Sequence, residues 1–152
     1  MIIAIGSDHA GQDTKDVLLK ELTNLGHEVH DYTPPAGVGG IDYPDPALLV
    51  ARQVSTDHAE LGVLVCGTGI GMSITANKVP GVRAALCSDT NMARLSREHN
   101  DANVLCLGGR ILSPQDATEI TREWIGAERS DDERHVRRRA KIAEIERSAN
   151  GS

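Results

Sequence analysis

Cys66-Gly67-Thr68-Gly69-Ile70-Gly71 follows the apolar run Leu61-Gly62-Val63-Leu64-Val65 and leads into Met72-Ser73-Ile74-Thr75-Ala76-Asn77-Lys78. The pattern predicts a buried strand that ends on a thiol, turns through glycines and becomes a helix. Such a turn points backbone N–H groups at an anion, or at an oxygen that becomes negative during a reaction. A cysteine at the same place has amide dipoles facing its sulfur, the setting in which thiols act as bases or nucleophiles.

Rival motifs can be tested residue by residue. A dinucleotide fingerprint needs a third glycine three positions after Gly69, where Met72 stands, and Lys78 comes too late for a nucleotide-hydrolase phosphate loop. A low-molecular-weight cysteine phosphatase would carry its phosphoryl-clamping arginine at that same Met72 position. What remains is proton abstraction beside a carbonyl, with sulfur as base and the amides stabilising an enediolate. The bland alternative is a small apolar cysteine packed at a strand end, the role read for Cys87 and Cys106.

The elements that must position this loop are legible in outline. Ile2 to Gly6 reads as a strand ending at Ser7-Asp8-His9-Ala10-Gly11, followed by a helix from Gln12 with Val17, Leu18, Leu22 and Leu25 at helical spacing and a stop at Gly26. Glu28 to Tyr32 is a second strand, and Thr33 to Tyr43, rich in proline and glycine, is a surface loop. Asp45-Pro46 reads as a cap and first helical turn, with Leu48, Leu49, Val50, Ala51 and Val54 carrying that helix. Leu61 to Val65, Arg83 to Cys87 and Asn103 to Leu107 supply three more strands. Helices capped at Ser88 or Asp89 and at Ser113-Pro114 follow the last two, and a final helix covers about 132–147 with Val136, Ala140 and Ala143 on one face.

Strands alternating with helices imply an α/β fold: one three-layer α/β/α domain over 1–147, with a five-stranded parallel Rossmann-like sheet and a frayed tail at 148–152. Ligands of such sheets bind at the carboxyl ends of the strands, where Asp8, His9, Cys66 to Gly71, Ser88, Asp89 and Gly108 to Arg110 fall. The chain has 152 residues and no phenylalanine, so the core must be aliphatic. A formal net charge of -6 and scarce aromatics argue against nucleic acid as a partner. No apolar run is long enough to span a membrane and no signal peptide is apparent, so a cytoplasmic protein with reduced thiols is expected. No metal-ligand spacing links Cys66, Cys87 and Cys106.

Five stretches together resemble the ribose-5-phosphate isomerase type B family, whose relatives include the galactose-6-phosphate and allose-6-phosphate isomerases. They are Ser7 to Gly11, Asp42-Tyr43-Pro44-Asp45, Cys66 to Gly71, Ala76 to Ala85 and Ser96 to Leu105. The resemblance spans about residues 2–142 and implies interconversion of ribose 5-phosphate and ribulose 5-phosphate without metal or organic cofactor. By position it implies Cys66 as the base between C1 and C2, Thr68 as an aid to hydroxyl proton movement, and His99 as the group that opens the furanose ring. Gly67, Gly69, Ile70 and Gly71 would hold the enediolate through their amides.

The resemblance further implies Asp8 and Asn100 as ligands of sugar hydroxyls, and His9, Arg110, Arg134 and Arg138 as ligands of the phosphate. The two C-terminal arginines lie four apart, on one helix face, and in the family reach the site of the neighbouring subunit. A homodimer with shared sites is implied, a dimer of dimers in some members. Asp8 could instead cap the next helix, Tyr43 could cover the sugar or simply close its loop, and Arg137 and Arg139 read as a solvated face. The loop Thr33 to Ile41 departs from the family pattern, leaving sugar length open between four, five and six carbons. A non-catalytic sugar-phosphate binder is the remaining alternative.

Overall fold

A computed structural model describes residues 1–151. Strands β1 (Ile2–Ser7), β2 (Glu28–Asp31), β3 (Leu61–Cys66), β4 (Ala84–Leu86) and β5 (Val104–Gly108) form one sheet in the order β2-β1-β3-β5-β4, with every pairing parallel. The helices are α1 (Gln12–Asn24), α2 (Pro44–Ser55), α3 (Ile70–Ala76), α4 (Thr90–Asn100), α5 (Pro114–Gly126) and α6 (Glu133–Ala149). From the central pair β1 and β3 the chain leaves toward opposite edges, which opens a crevice beyond their carboxyl ends. Ser7 is level with Val65, and Cys66 with Gly108, so the loops that follow β1, β3 and β5 start at one height.

Alternation along the strands sorts the core into two layers. Ile3, Ile5, Val63, Val65, Leu105 and Leu107 meet Leu18 and Leu22 of α1, Ala93 of α4, and Ala117, Ile120 and Trp124 of α5. Ala4, Leu64, Cys66, Val104 and Cys106 face Val50, Ala51 and Val54 of α2 and Met72 and Ala76 of α3. Each large aliphatic buried in this way contributes about 1.5–3 kcal/mol. With Trp124 as the one aromatic among its buried residues and Tyr32 packed partly buried against the second layer, the core is as aliphatic as the composition requires.

Several boundaries differ from expectation for physical reasons. The buried stripe of α1 is Thr14, Lys15, Leu18 and Leu22, whereas Val17 is 40% exposed and Leu25 lies outside the helix. Lys15 holds its place in the core by an ion pair, Nζ to Asp31 Oδ2 at 2.6 Å, with Asp16 at 2.9 Å. Helix α2 begins at Pro44 with Tyr43 in the cap position, because Pro44 already has a helical φ and Asp45 donates to the Asp42 carbonyl. Strand β4 is shorter than read, and α3 starts within the glycine loop at Ile70. Helix α6 runs past Arg147 to Ala149, so part of the expected tail is helical, and Ser152 lies outside the described residues. The face read from Val136, Ala140 and Ala143 is not its packing face: Val136 is 45% exposed, and the buried residue is His135.

Burial disfavours both charges of the Lys15–Asp31 pair, yet their bond prevails. It holds the ammonium, with help from Asp16, above its ordinary range, and with Thr33 it holds the carboxyl below its own. The Asp31 contribution is therefore present above the ordinary carboxylate range and lost as pH falls through the lowered folded value. The Lys15 contribution is lost only as pH rises through its raised value. Asp31→Asn is expected to lower the unfolding free energy by about 1–3 kcal/mol at neutral pH and to converge on the parent protein in acid. Urea titrations across that range check it.

Candidate active site

The apolar β3 carries its last side chain, Cys66, to the α2–α3 side of the sheet, where its sulfur is almost fully buried. Sγ accepts the Gly69 N–H at 3.1 Å. The turn that makes this bond requires φ +81 at Gly69, where a Cβ would also stand 2.6 Å from Leu86 Cδ1. The Ile70 N–H donates to Thr68 Oγ1 at 3.2 Å. Two amides of the expected enediolate cradle are therefore engaged within the loop. Those of Gly71 and Met72, in the first turn of α3, have no carbonyl partner inside the helix.

Neighbouring loops are stapled to this one by backbone hydrogen bonds. Asp8 N–H donates to the Val65 carbonyl at 3.3 Å, Gly109 N–H to Cys66 at 2.7 Å and Arg110 N–H to Gly67 at 3.0 Å. The Arg110 side chain lies across Gly67, with Nη1 3.4 Å from where a Cβ would stand. Asp8 is buried and its Oδ1 accepts the Gly11 N–H at 3.0 Å, so it does brace the entry to α1. Its Oδ2 takes no hydrogen bond among the described residues.

The loop between β2 and α2 closes the other side. Thr33 Oγ1 accepts the Ser7 N–H at 3.1 Å, and the Ile41 N–H donates to His9 Nδ1 at 3.3 Å. With Nδ1 accepting, neutral His9 carries its proton on Nε2 and presents a donor. The Tyr43 ring packs on Gly71 so closely that a Cβ there would lie 2.5 Å from Cε2. Ser88 and Asp89 are less central. Asp89 caps α4 by accepting the Met92 N–H, and Ser88 borders a mostly apolar depression of about 250 Å³ shared with Thr68, Ile70 and Ile111.

His99, Asn100, Arg134 and Arg138 stand elsewhere. Helix α4 leaves the carboxyl end of β4 and descends about 15 Å over its length. Its last residues lie beside Asn103, whose carbonyl accepts the Gly62 N–H at the start of β3 and whose side chain accepts the Arg83 N–H beside β4. The length of β3, roughly 20 Å, therefore separates His99 from Cys66 within one chain. Here the His99 and His135 rings stack at 4.0 Å with 13° between their planes. Arg134 Nε donates to His135 Nε2 at 3.2 Å, while Arg138 and Asn100 are exposed.

Arg139 corrects the solvated-face reading. Its guanidinium donates to the His99 carbonyl at 3.1 Å and the Ser130 carbonyl at 2.8 Å, which fastens α6 to α4. Arg139, His135, Ile41 and Thr33 were not among the predicted site residues. Their contacts join distant segments, and no local spacing announces them. Burial, and secondarily the charge of His99, Arg134 and Arg138, pushes the His135 imidazole below its ordinary range. Burial also pushes the Cys87 and Cys106 thiols up, which keeps them protonated packing groups.

A buried sulfur within a glycine turn, at the switch point of a parallel sheet and ringed by a carboxylate, an imidazole, a phenol and a guanidinium, is the architecture of a small-molecule enzyme of the doubly wound α/β class. The ribose/galactose isomerase family model matches residues 3–142. D-erythrulose-4-phosphate isomerase of Pectobacterium atrosepticum is 45% identical over 127 residues, covering 83% of each chain. Ribose-5-phosphate isomerase B of Clostridium thermocellum has a solved structure that is 46% identical, with a TM-score of 0.92, covering 98% of this chain and 99% of that one. The Mycoplasma genitalium ribose-5-phosphate isomerase B, solved with bound ribulose 5-phosphate, is 39% identical, with a TM-score of 0.90 and 96% coverage of both chains. The chain belongs to the ribose/galactose isomerase family, and is thus a sugar-phosphate isomerase with the five-stranded parallel fold of that family.

Arg139→Ala, which leaves two carbonyls without their cationic donor, is expected to cost about 1–3 kcal/mol of stability. Chemical denaturation measures this, and faster amide exchange around Ser130 would localise it.

Proposed function

We propose that the protein interconverts ribose 5-phosphate and ribulose 5-phosphate through an enediolate, with Cys66 as the base. The observation that carries this reading is the Cys66 sulfur, held by the Gly69 amide at the floor of the crevice, with the first-turn amides of α3 beside it. The phosphate is met by Arg110 and the Nε2–H of His9, and the sugar hydroxyls by Asp8, under the cover of Tyr43. Arg134 and Arg138 complete the phosphate grip, His99 opens the furanose, and Asn100 binds a hydroxyl. These four act on the Cys66 of a second copy, since one chain holds the two groups at opposite ends of its sheet. The C-terminal helix α6 carries the arginines across that interface.

In the forward direction His99 moves a proton at the ring oxygen as the hemiacetal opens. The Cys66 thiolate then takes the C2 proton, the carbonyl oxygen gains the electron pair, and amides of α3 stabilise it. Thr68 relays the hydroxyl proton between O2 and O1, and the Cys66 thiol returns its proton to C1. Atoms balance with no external oxidant, and the chemistry calls on no metal or organic cofactor. The same site with a four-carbon substrate is the second reading, favoured by the 45% identity to an erythrulose-4-phosphate isomerase.

Comparing kcat/KM for four-, five- and six-carbon sugar phosphates decides between the readings, because a preference of orders of magnitude over ribose 5-phosphate would reassign the substrate. Tight binding without turnover of any would make the protein a binder instead. Cys66→Ala is expected to abolish exchange of the C2 proton with solvent while phosphate binding stays nearly intact.

A mixing experiment tests the shared site. Cys66→Ala and His99→Asn chains are each expected to be inactive, and random reassociation of equal amounts should restore about a quarter of the parent activity, from the one intact site in each mixed dimer. No recovery would place both residues in one chain's site.

A further inference from the structure

His135 is a polar side chain with only 4% of its surface exposed, on a helix that buries nothing else. It makes two contacts of different kinds. One face covers the His99 ring at 4.0 Å, nearly parallel. Its edge nitrogen Nε2 accepts a hydrogen bond from Arg134 Nε at 3.2 Å. An imidazole that accepts at Nε2 is neutral, which suits a stacked partner that must itself gain and lose a proton.

Each contact removes a freedom that the chemistry cannot tolerate. His99 sits in the last turn of α4, two residues before Asp101 at φ 51, and its ring makes no hydrogen bond among the described residues. The stack on His135 is then what selects one rotamer and one ring plane. For Arg134, engaging Nε on His135 fixes the guanidinium plane and leaves the edge formed by its two Nη groups to grip two oxygens of a phosphate at once. Beneath both, Arg139 holds the His99 carbonyl and the Ser130 carbonyl, so α4 and α6 keep a fixed spacing.

We infer that His135 is a positioning residue which sets the ring-opening imidazole, His99, and the phosphate-gripping Arg134 in a single arrangement before substrate arrives. The inference rests on the roles proposed above for those two residues. His135 touches neither sugar nor phosphate. Its effect is to correlate two events, capture of the phosphate and opening of the ring, through one buried side chain.

Two substitutions separate the contacts. His135→Phe keeps an aromatic face and removes the acceptor, whereas His135→Gln keeps an acceptor and removes the face. The Phe variant should raise KM for ribose 5-phosphate about five- to tenfold and weaken calorimetric binding of inorganic phosphate by a similar factor, with kcat within about twofold. The Gln variant should lower kcat for ribose 5-phosphate about tenfold with little change in KM. It should not slow solvent exchange of the C1 protons of ribulose 5-phosphate, an open-chain sugar whose enolisation needs no ring step. In proton NMR, the ring-current shift of the His99 ring protons should persist in the Phe variant and vanish in the Gln variant.

Equal losses of kcat and phosphate affinity in both variants, tracking the folded fraction by circular dichroism, would overturn the inference and leave His135 a packing residue. Unchanged kinetics and binding in both would overturn it too. If the parent protein isomerises no sugar phosphate, the proposed activity fails instead. The NMR shift and the inorganic phosphate titration then judge the positioning role alone, and it falls if neither responds to its own substitution.

Discussion

Parallel register is the constraint from which the site follows. Because Ser7 is level with Val65 and Cys66 with Gly108, three loops begin at the same height, and the backbone groups left over at the strand ends pair with each other. A parallel ladder stopped at this edge would leave carbonyls of Val65, Cys66 and Gly67 facing the crevice. The N–H groups of Asp8, Gly109 and Arg110 take them up. The side chains of Asp8, Cys66 and Arg110 are thus positioned by main chain, the stiffest support a small protein offers.

The length of α4 sets the second constraint. A helix that starts at the carboxyl edge of the sheet and runs antiparallel to the strands must deliver its last residues to the amino edge. His99 and Asn100 are therefore grouped with the first turns of α6, and the two histidines and Arg134 there form a unit of their own, fastened by Arg139. One chain thus carries two organised ends, one around the Cys66 sulfur and one around the stacked His99 and His135.

Much of this was legible beforehand because it is local. Short apolar runs alternating with helically spaced or capped segments located every strand and helix, Ser113-Pro114 and Asp89 announced their caps, and the glycines after Cys66 marked the turn. The motif residues pointed to the family and to the fold that the solved relatives share. What stayed hidden was long-range. Nothing local marks Lys15 as a core residue, because its partner Asp31 lies sixteen positions on. Likewise, α6 offers Val136, Ala140 and Ala143 as an apolar stripe, yet packs through a histidine and an arginine because the surface it meets is the polar end of α4. Membership in one set of motifs also concealed that Cys66 and His99 sit a strand's length apart.

The loop between β2 and α2 touches the site at Thr33, at Ile41 and through Tyr43, while its tip at Val38 stands wholly in solvent. Residues between the anchors are free to lengthen, shorten or change character without shifting the His9 proton or the Tyr43 ring. The anchors that hold His9 and cover Gly71 and the tip between them are consequently inherited on separate stretches of chain. A lineage carrying this fold can vary the loop tip by drift while the residues that anchor the loop stay under their own, independent selection.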